Sequence, residues 1–273
     1  MIRIATDSSA DLSPAVAAQH KIEVVPLTIR FGDHEFVDRH DLSAEAFWER
    51  LSGASPLPST AAPSVGTFAE AFRRLADEGA TGVVAVTISQ QLSGTFQAAT
   101  LASRDAPIPV RVIDSRTASI PLGLTAIAAA NAARLGADLG DVERAVSRAD
   151  PDLLATLDTL EYLQKGGRIG AAQAFFGGLL NVKPLITFSE GVVAAAGRVR
   201  TRRKALAALL EWVSQQEGII RLGVVHGNAP DIDDFLYQLR ERVPDVEPLV
   251  ALAGPVIGTH AGPGVVGVAV SRI

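Results

Sequence analysis

A unit that recurs through the first half of the chain limits the fold most: a short apolar run, a polar loop, then a stretch with helical spacing. Ile2 to Thr6 enters Asp7-Ser8-Ser9-Ala10-Asp11 and a helix starting at Ser13-Pro14. Gly82 to Ser89 enters Gln90-Gln91-Leu92-Ser93-Gly94-Thr95 and a helix from Phe96 to Ser103. Pro109 to Ile113 enters Asp114-Ser115, ahead of an alanine-rich helix from Leu122 to Leu135. Repeated strand-helix units predict a largely parallel sheet with helices on its faces. Such layers need an aliphatic core, and the composition fits: hydrophobic residues make up 48% of the chain and aromatics only 5%.

Around this frame, Ile22 to Phe31 reads as a second strand, and Phe31-Gly32-Asp33-His34 as a hairpin turn. The stretch between Leu51 and Ser64 carries too much proline for a helix or central strand, and delivers Thr60 and Ser64 to a helix from Val65 to Asp77. A further helix, Asp141 to Ala149, leads to Asp150-Pro151. The 273 residues suit two domains, so the boundary is placed there: 1–151 and 152–273.

The second half starts with a strand, Leu153 to Leu157, and a stretch punctuated by glycine pairs. A helix stops at Gly166-Gly167 and leaves Arg168 at a corner. An apolar helix from Ala171 stops at Gly177-Gly178, and a strand begins at Pro184. Lys183 to Ser189 and Val192 to Val199 form a hairpin around Glu190-Gly191. Arg198, Arg200, Arg202, Arg203 and Lys204 open a helix to Gln216, and Arg221 to His226 is a strand. Pro230 to Arg242 is a helix, Glu247 to Leu252 a strand, and Gly258-Thr259-His260-Ala261-Gly262-Pro263-Gly264 a loop before the last strand, Val265 to Val270. The expected fold is two-domain α/β: a parallel-sheet N-terminal domain and a mixed-sheet C-terminal domain, with a ligand between them.

Much chemistry is excluded. A net charge of −5 argues against nucleic acid as main partner. Without cysteine there is no disulfide and no thiolate nucleophile. Gly262-Pro263-Gly264-Val265-Val266-Gly267 matches the dinucleotide pattern but enters a strand where that fingerprint must open a helix. No phosphate-binding P-loop, HExxH zinc motif or GxSxG elbow occurs, so no metal or cofactor is expected. The N-terminus enters a strand directly and no apolar run is long enough to cross a bilayer, so a soluble cytoplasmic protein is expected.

The remaining candidates are loop residues. Asp7 and Ser8 read first as helix caps. Ser93 lies in a glycine-bearing hydroxyl loop between strand and helix, where backbone N–H groups and hydroxyls converge on anions, although a cap is the simpler role. Thr60, expected at the same sheet edge, favours a shared site. His260, among small residues, is expected to be accessible. Phe175, Phe176, Leu179 and Leu180 are candidates for an apolar wall with Arg168 at its rim, against helix capping with an exposed arginine. The basic segment from Arg198 to Lys204 reads as solvated surface or as a dock for an acidic partner or phosphate. Ser93 and His260 also leave open an acyl hydrolase or transferase, and His260 alone a phosphosugar-type transferase.

Seven segments in order resemble the DegV family: Ile4 to Leu12, Thr60 to Ser64, Ile88 to Ala99, Val112 to Ser115, the Gly-Gly-Arg stretch with Asn181-Val182-Lys183-Pro184, Arg200-Thr201, and Gly258 to Gly264. The resemblance implies the lipid-binding, non-catalytic subunit of a bacterial fatty acid kinase. It would hold a long-chain fatty acid while a separate ATP-using subunit phosphorylates the carboxyl group, and then carry the acyl phosphate toward phospholipid synthesis. By the same resemblance, Thr60 and Ser93 hold the carboxylate with His260 nearby, and Arg168 and Arg200 lie toward phosphate or kinase. The chain departs from the family at Ala61, where serine is usual. Burying about fifteen methylenes at about 0.8 kcal/mol each gives on the order of 12 kcal/mol before ordering costs.

Overall fold

The fold is taken from a computed structural model that describes residues 1–175 and 182–272. In chain order, the first half comprises β1 (Ile2–Asp7), α1 (Pro14–Gln19), β2 (Ile22–Val25), β3 (Thr28–Phe31), β4 (His34–Val37), α2 (Ala44–Leu51) and β5 (Ser59–Ala61). It continues with α3 (Val65–Asp77), β6 (Gly82–Thr87), α4 (Thr95–Ser103), β7 (Val110–Asp114), α5 (Ile120–Arg134) and α6 (Leu139–Ala149). The second half holds β8 (Asp152–Thr156), α7 (Glu161–Lys165), β9 (Lys183–Ser189), β10 (Val192–Val199), α8 (Arg202–Ser214) and β11 (Ile219–His226). The chain closes with α9 (Ile232–Arg242), β12 (Leu249–Leu252), α10 (Pro255–Ala261) and β13 (Val266–Arg272).

The first sheet is parallel throughout, in the order β2-β1-β6-β7. One of its two inner strands, β6, is apolar up to its last residue, Thr87, and buried along its whole length, as a strand covered on both faces requires. Helix α3 buries Phe68, Ala71, Phe72 and Leu75, one helical stripe, against this sheet. The second sheet has the order β10-β9-β8-β13-β11-β12, antiparallel except for the parallel β11–β12 pair, and is therefore mixed. Glu190 and Gly191 turn the β9–β10 hairpin with φ of 51° and 80°, the left-handed pair that a two-residue turn requires.

Helix α5 joins the two layers. Nearly every residue from Ile120 to Ala130 is buried, a pattern for a helix with no solvent face. Close packing on both sides explains two glycines. A Cβ on Gly123 would lie 2.6 Å from the Ala10 carbonyl oxygen, and one on Gly223 of β11 would lie 2.6 Å from Ile120.

Four expectations need correction. The strand Ile22 to Phe31 is broken at Pro26, which has no N–H to donate, into β2 of the parallel sheet and β3 of a small antiparallel sheet, β4-β3-β5. Helix α2, with Phe47, Trp48 and Leu51 buried, was not anticipated. The expected Gly258–Gly264 loop is largely helix: α10 starts with Pro255 in its first turn and contains His260. Gly258 is tolerated there because Phe47 and Trp48 press on it, Trp48 at 3.0 Å from where a Cβ would sit. The apolar helix from Ala171 is a 3-10 segment, Gly170–Phe175, as far as it is described. Phe176, Leu179 and Leu180 lie outside the described residues, as does the side chain of Phe175.

Candidate functional site

A cavity of about 150 Å³ lies against the second sheet, walled by α10, β5 and loops of the first half, so that both halves of the chain line it. Most of its wall is aliphatic, including Leu27, Ile88, Leu157, Ile186 and Val256, with Phe188 the one phenyl ring among the described lining residues. Thr60, Ser93, Arg168 and His260 all line it.

Each reaches the cavity by a different local device. Thr60 sits on edge strand β5, paired with Ile29 of β3. Strand alternation turns its neighbour Ala61 to the other face, so Ala62 lines the cavity and Ala61 does not. The missing hydroxyl at position 61 is therefore outside the wall. After β6 the chain curls so that the N–H groups of Leu92 and Ser93 both donate to the Ser89 carbonyl, at 3.0 and 3.1 Å. Ser93 Oγ then accepts from the Thr95 N–H at 3.3 Å and pairs with Thr95 Oγ1 at 2.8 Å.

The double glycine acts as expected. Helix α7 ends at Gly166, Gly167 takes φ of 69°, and the Arg168 N–H donates to the Leu163 carbonyl at 3.0 Å. From that corner the Arg168 guanidinium donates to the carbonyls of Leu92 (Nε, 3.1 Å) and Gly166 (Nη1, 2.7 Å), and so ties the second half to the Ser93 loop. His260, in the last turn of α10, packs its ring against Gly166 and is half-buried, where the sequence predicted an accessible loop position.

His260 Nε2 lies 2.9 Å from Thr60 Oγ1. Burial first, and the Arg168 charge second, push the imidazole down to about 4, so the ring is neutral near pH 7. Its Nδ1 is buried without a partner among the described residues. An orphaned acceptor is tolerated better than an orphaned N–H, so the proton is assigned to Nε2, which donates to Thr60. The Thr60 O–H is then free to donate into the cavity. This end of the cavity thus offers hydroxyls and a guanidinium while the rest is apolar, an arrangement suited to an amphiphile with an anionic head.

Other candidates fall elsewhere. No hydrogen bond joins Ser93 to His260, and no acid orients Nδ1, so the Ser93/His260 couple is not preformed among the described residues. Arg198, Arg200, Arg203 and Lys204 are exposed and off the cavity wall. Arg202 turns inward: Nε and Nη2 donate to Asp231 at 2.9 and 2.7 Å, and Nη1 donates to the Gly264 carbonyl. Asp7 caps a 3-10 turn and also accepts from the Ile88 N–H at 2.7 Å, bridging β1 to the end of β6. Among the described residues, no His, Asp or Glu group could hold a metal and no helix is long and apolar enough to cross a membrane. The sequence reading missed Ser119, a wall residue whose positive φ leaves no trace in composition.

Comparison with known proteins agrees over the whole chain. A protein of Streptomyces coelicolor described as DegV domain-containing is 41% identical, covering 99% of this chain and 98% of its own. The solved structure of a DegV family protein from Thermus thermophilus, described by its fatty acid binding, is 34% identical, with a TM-score of 0.87 over 100% of this chain and 99% of that one. DegV from Bacillus subtilis, described as a fatty acid binding protein, is 29% identical, with a TM-score of 0.91 over 100% and 99%. The family model described as an uncharacterised protein of the DegV family matches residues 1–272, and the chain belongs to that family.

Proposed function

We propose that this protein binds a long-chain fatty acid in the cavity shared by its two halves, with the carboxylate at the Thr60 end. The observation that carries the reading is that hydroxyls, a guanidinium and a neutral imidazole from both halves meet on one otherwise apolar wall. Fatty acid binding by the related proteins of Thermus thermophilus and Bacillus subtilis supports it. Thr60 and Ser93 hold the carboxylate, His260 orients Thr60, and Arg168 supplies positive charge. A buried carboxylate is costly unless hydrogen-bonded, and these donors offset that cost.

In this reading the protein has no cofactor and no catalysis of its own. It presents the carboxylate to a separate ATP-dependent kinase subunit in the cytoplasm and then carries the acyl phosphate, with exposed Arg200 and its basic neighbours meeting phosphate or kinase. Native mass spectrometry of purified protein is expected to show copurified fatty acid, retained less well by Ser93→Ala. Material that arrives without lipid and takes up neither oleate nor palmitate would overturn the reading. Ester turnover by the wild-type protein would favour a Ser93/His260 hydrolase instead.

A further inference from the structure

Five polar side chains line the cavity among the described residues, and four gather at the Thr60 end. The fifth, Ser119, stands apart. Its Oγ–H donates to Asp11 Oδ2 at 2.6 Å, and Asp11 Oδ1 accepts the Gly254 N–H at 2.8 Å where α10 begins. His260 is six residues further along α10, about 9 Å of helix rise from the Gly254 N–H that Asp11 holds, so Ser119 is tied to the opposite end of α10 from His260.

Ser119 is held in place at a cost. Its φ of 64° and ψ of −148° belong to a strained region that favours glycine. The Ser119 N–H donates to the Ser9 carbonyl at 2.8 Å, which together with Asp11 fixes the residue. Asp11 is 2% exposed. Burial raises it to about 7, against the Ser119 hydrogen bond, the Arg39 charge and the Gly254 N–H, with the Asp38 charge adding a smaller upward push. Above that pH the carboxylate is an acceptor only and claims the single Ser119 proton. The serine then meets the cavity with lone pairs alone.

We infer that Ser119 is a hydroxyl-reading subsite of the cavity, through which the protein prefers an acyl chain with a mid-chain hydroxyl to one of equal length with a mid-chain ketone. A hydroxyl donates to Ser119 Oγ, whereas a ketone sets lone pairs against lone pairs. The inference rests on the proposed fatty acid binding and adds a ligand class to it.

The test is displacement of a fluorescent fatty acid at pH 8 by stearate, mid-chain hydroxystearates and the matching oxostearates. The wild-type protein is expected to favour hydroxystearate over oxostearate by roughly two- to tenfold, the worth of one neutral hydrogen bond. Ser119→Gly suits the positive φ and keeps the fold, and the ratio should fall to about one. In Asp11→Asn the amide carbonyl still accepts from Gly254, while the amide N–H donates to Ser119 and frees its hydroxyl to donate into the cavity. The ratio should then invert toward the ketone, an outcome that loss of structure alone would not produce. Equal ratios in wild type and Ser119→Gly, or an unchanged ratio in Asp11→Asn, overturn the inference. If stearate itself fails to bind, the proposed function falls and takes this inference with it. If stearate binds but hydroxyl and ketone are treated alike, only this inference is lost.

Discussion

Gly166→Ala tests the head-group geometry without altering any residue that lines the cavity. Gly166 has φ of −75°, which alanine adopts freely, so the perturbation is steric. The new Cβ would overlap His260 Nδ1 and lie 2.9 Å from Cε1 and 3.0 Å from the Tyr162 carbonyl oxygen. Ordinary contact begins near 3.4 Å, so clearing Nδ1 requires the ring to retreat by more than about an ångström, enough to spoil the 2.9 Å contact with Thr60. Thr60 then loses its orienting donor. If one hydrogen bond to the carboxylate is lost, worth about 1.5–3 kcal/mol, affinity falls roughly 10- to 150-fold. Overpacking lowers stability by about 1–3 kcal/mol as well. Gly167→Ala is the control. Its φ of 69° makes alanine cost about 1–2 kcal/mol, but nothing lies within 4 Å of the added Cβ. Fatty acid titrations and melting curves should therefore show both variants destabilised and only Gly166→Ala weakened in binding. Wild-type affinity in Gly166→Ala, or equal losses in the two variants, would refute the role assigned to His260.

Two further outcomes are expected. Asp11 is raised in the folded state, so its protonated form is the favoured one there, and its share of stability falls as pH rises from its unfolded value of 3.8 through about 7. The melting temperature of Asp11→Asn relative to wild type should therefore be higher at pH 8 than at pH 5, and an equal or opposite difference would contradict this. At the hairpin tip, Ser89 Oγ donates to the Gly191 carbonyl at 2.7 Å, and a Cβ on Gly191 would lie 2.6 Å from Ser89 Oγ at φ of 80°. Gly191→Ala should loosen the hairpin from the first half and raise the fatty acid off-rate several-fold in stopped flow. Glu190→Ala, which breaks only the exposed pair with Arg116, should stay within about twofold because such pairs are worth at most about 1 kcal/mol.

The fold was legible wherever one periodicity governed a whole element. The strands β1 and β6, the helix α3 and the β9–β10 hairpin all carry their own start and stop signals, and the observed elements follow them closely. Legibility failed where tertiary contacts override local propensity. Pro26 divides one apolar run between two sheets, and nothing local says that the second piece leaves for another partner. Gly258 reads as a breaker, yet it sits in α10 because Phe47 and Trp48 fill the space a side chain would need. Both aromatics lie on α2, some 200 residues away, and Trp48 Nε1 also donates to the Ala253 carbonyl at 2.9 Å to fix where α10 starts.

The cavity follows the same logic one level up. Thr60, Ser93, Arg168 and His260 could be named from the sequence because each follows or ends an element with a recognisable glycine or hydroxyl signal. Their roles could not, since a role depends on the neighbour. His260 is neutral because Gly166 lets it be buried beside Arg168, and Arg202 is spent on Asp231 and Gly264 although it belongs to a basic run that reads as surface. Ser119 is the extreme case. Its backbone conformation exists only because Ser9 and Asp11 hold it, so no spacing or composition could mark it as part of the wall. A site assembled from the ends of separate elements is therefore readable as a set of residue types, while its protonation states and hydrogen-bond directions arise only when the two halves close on each other.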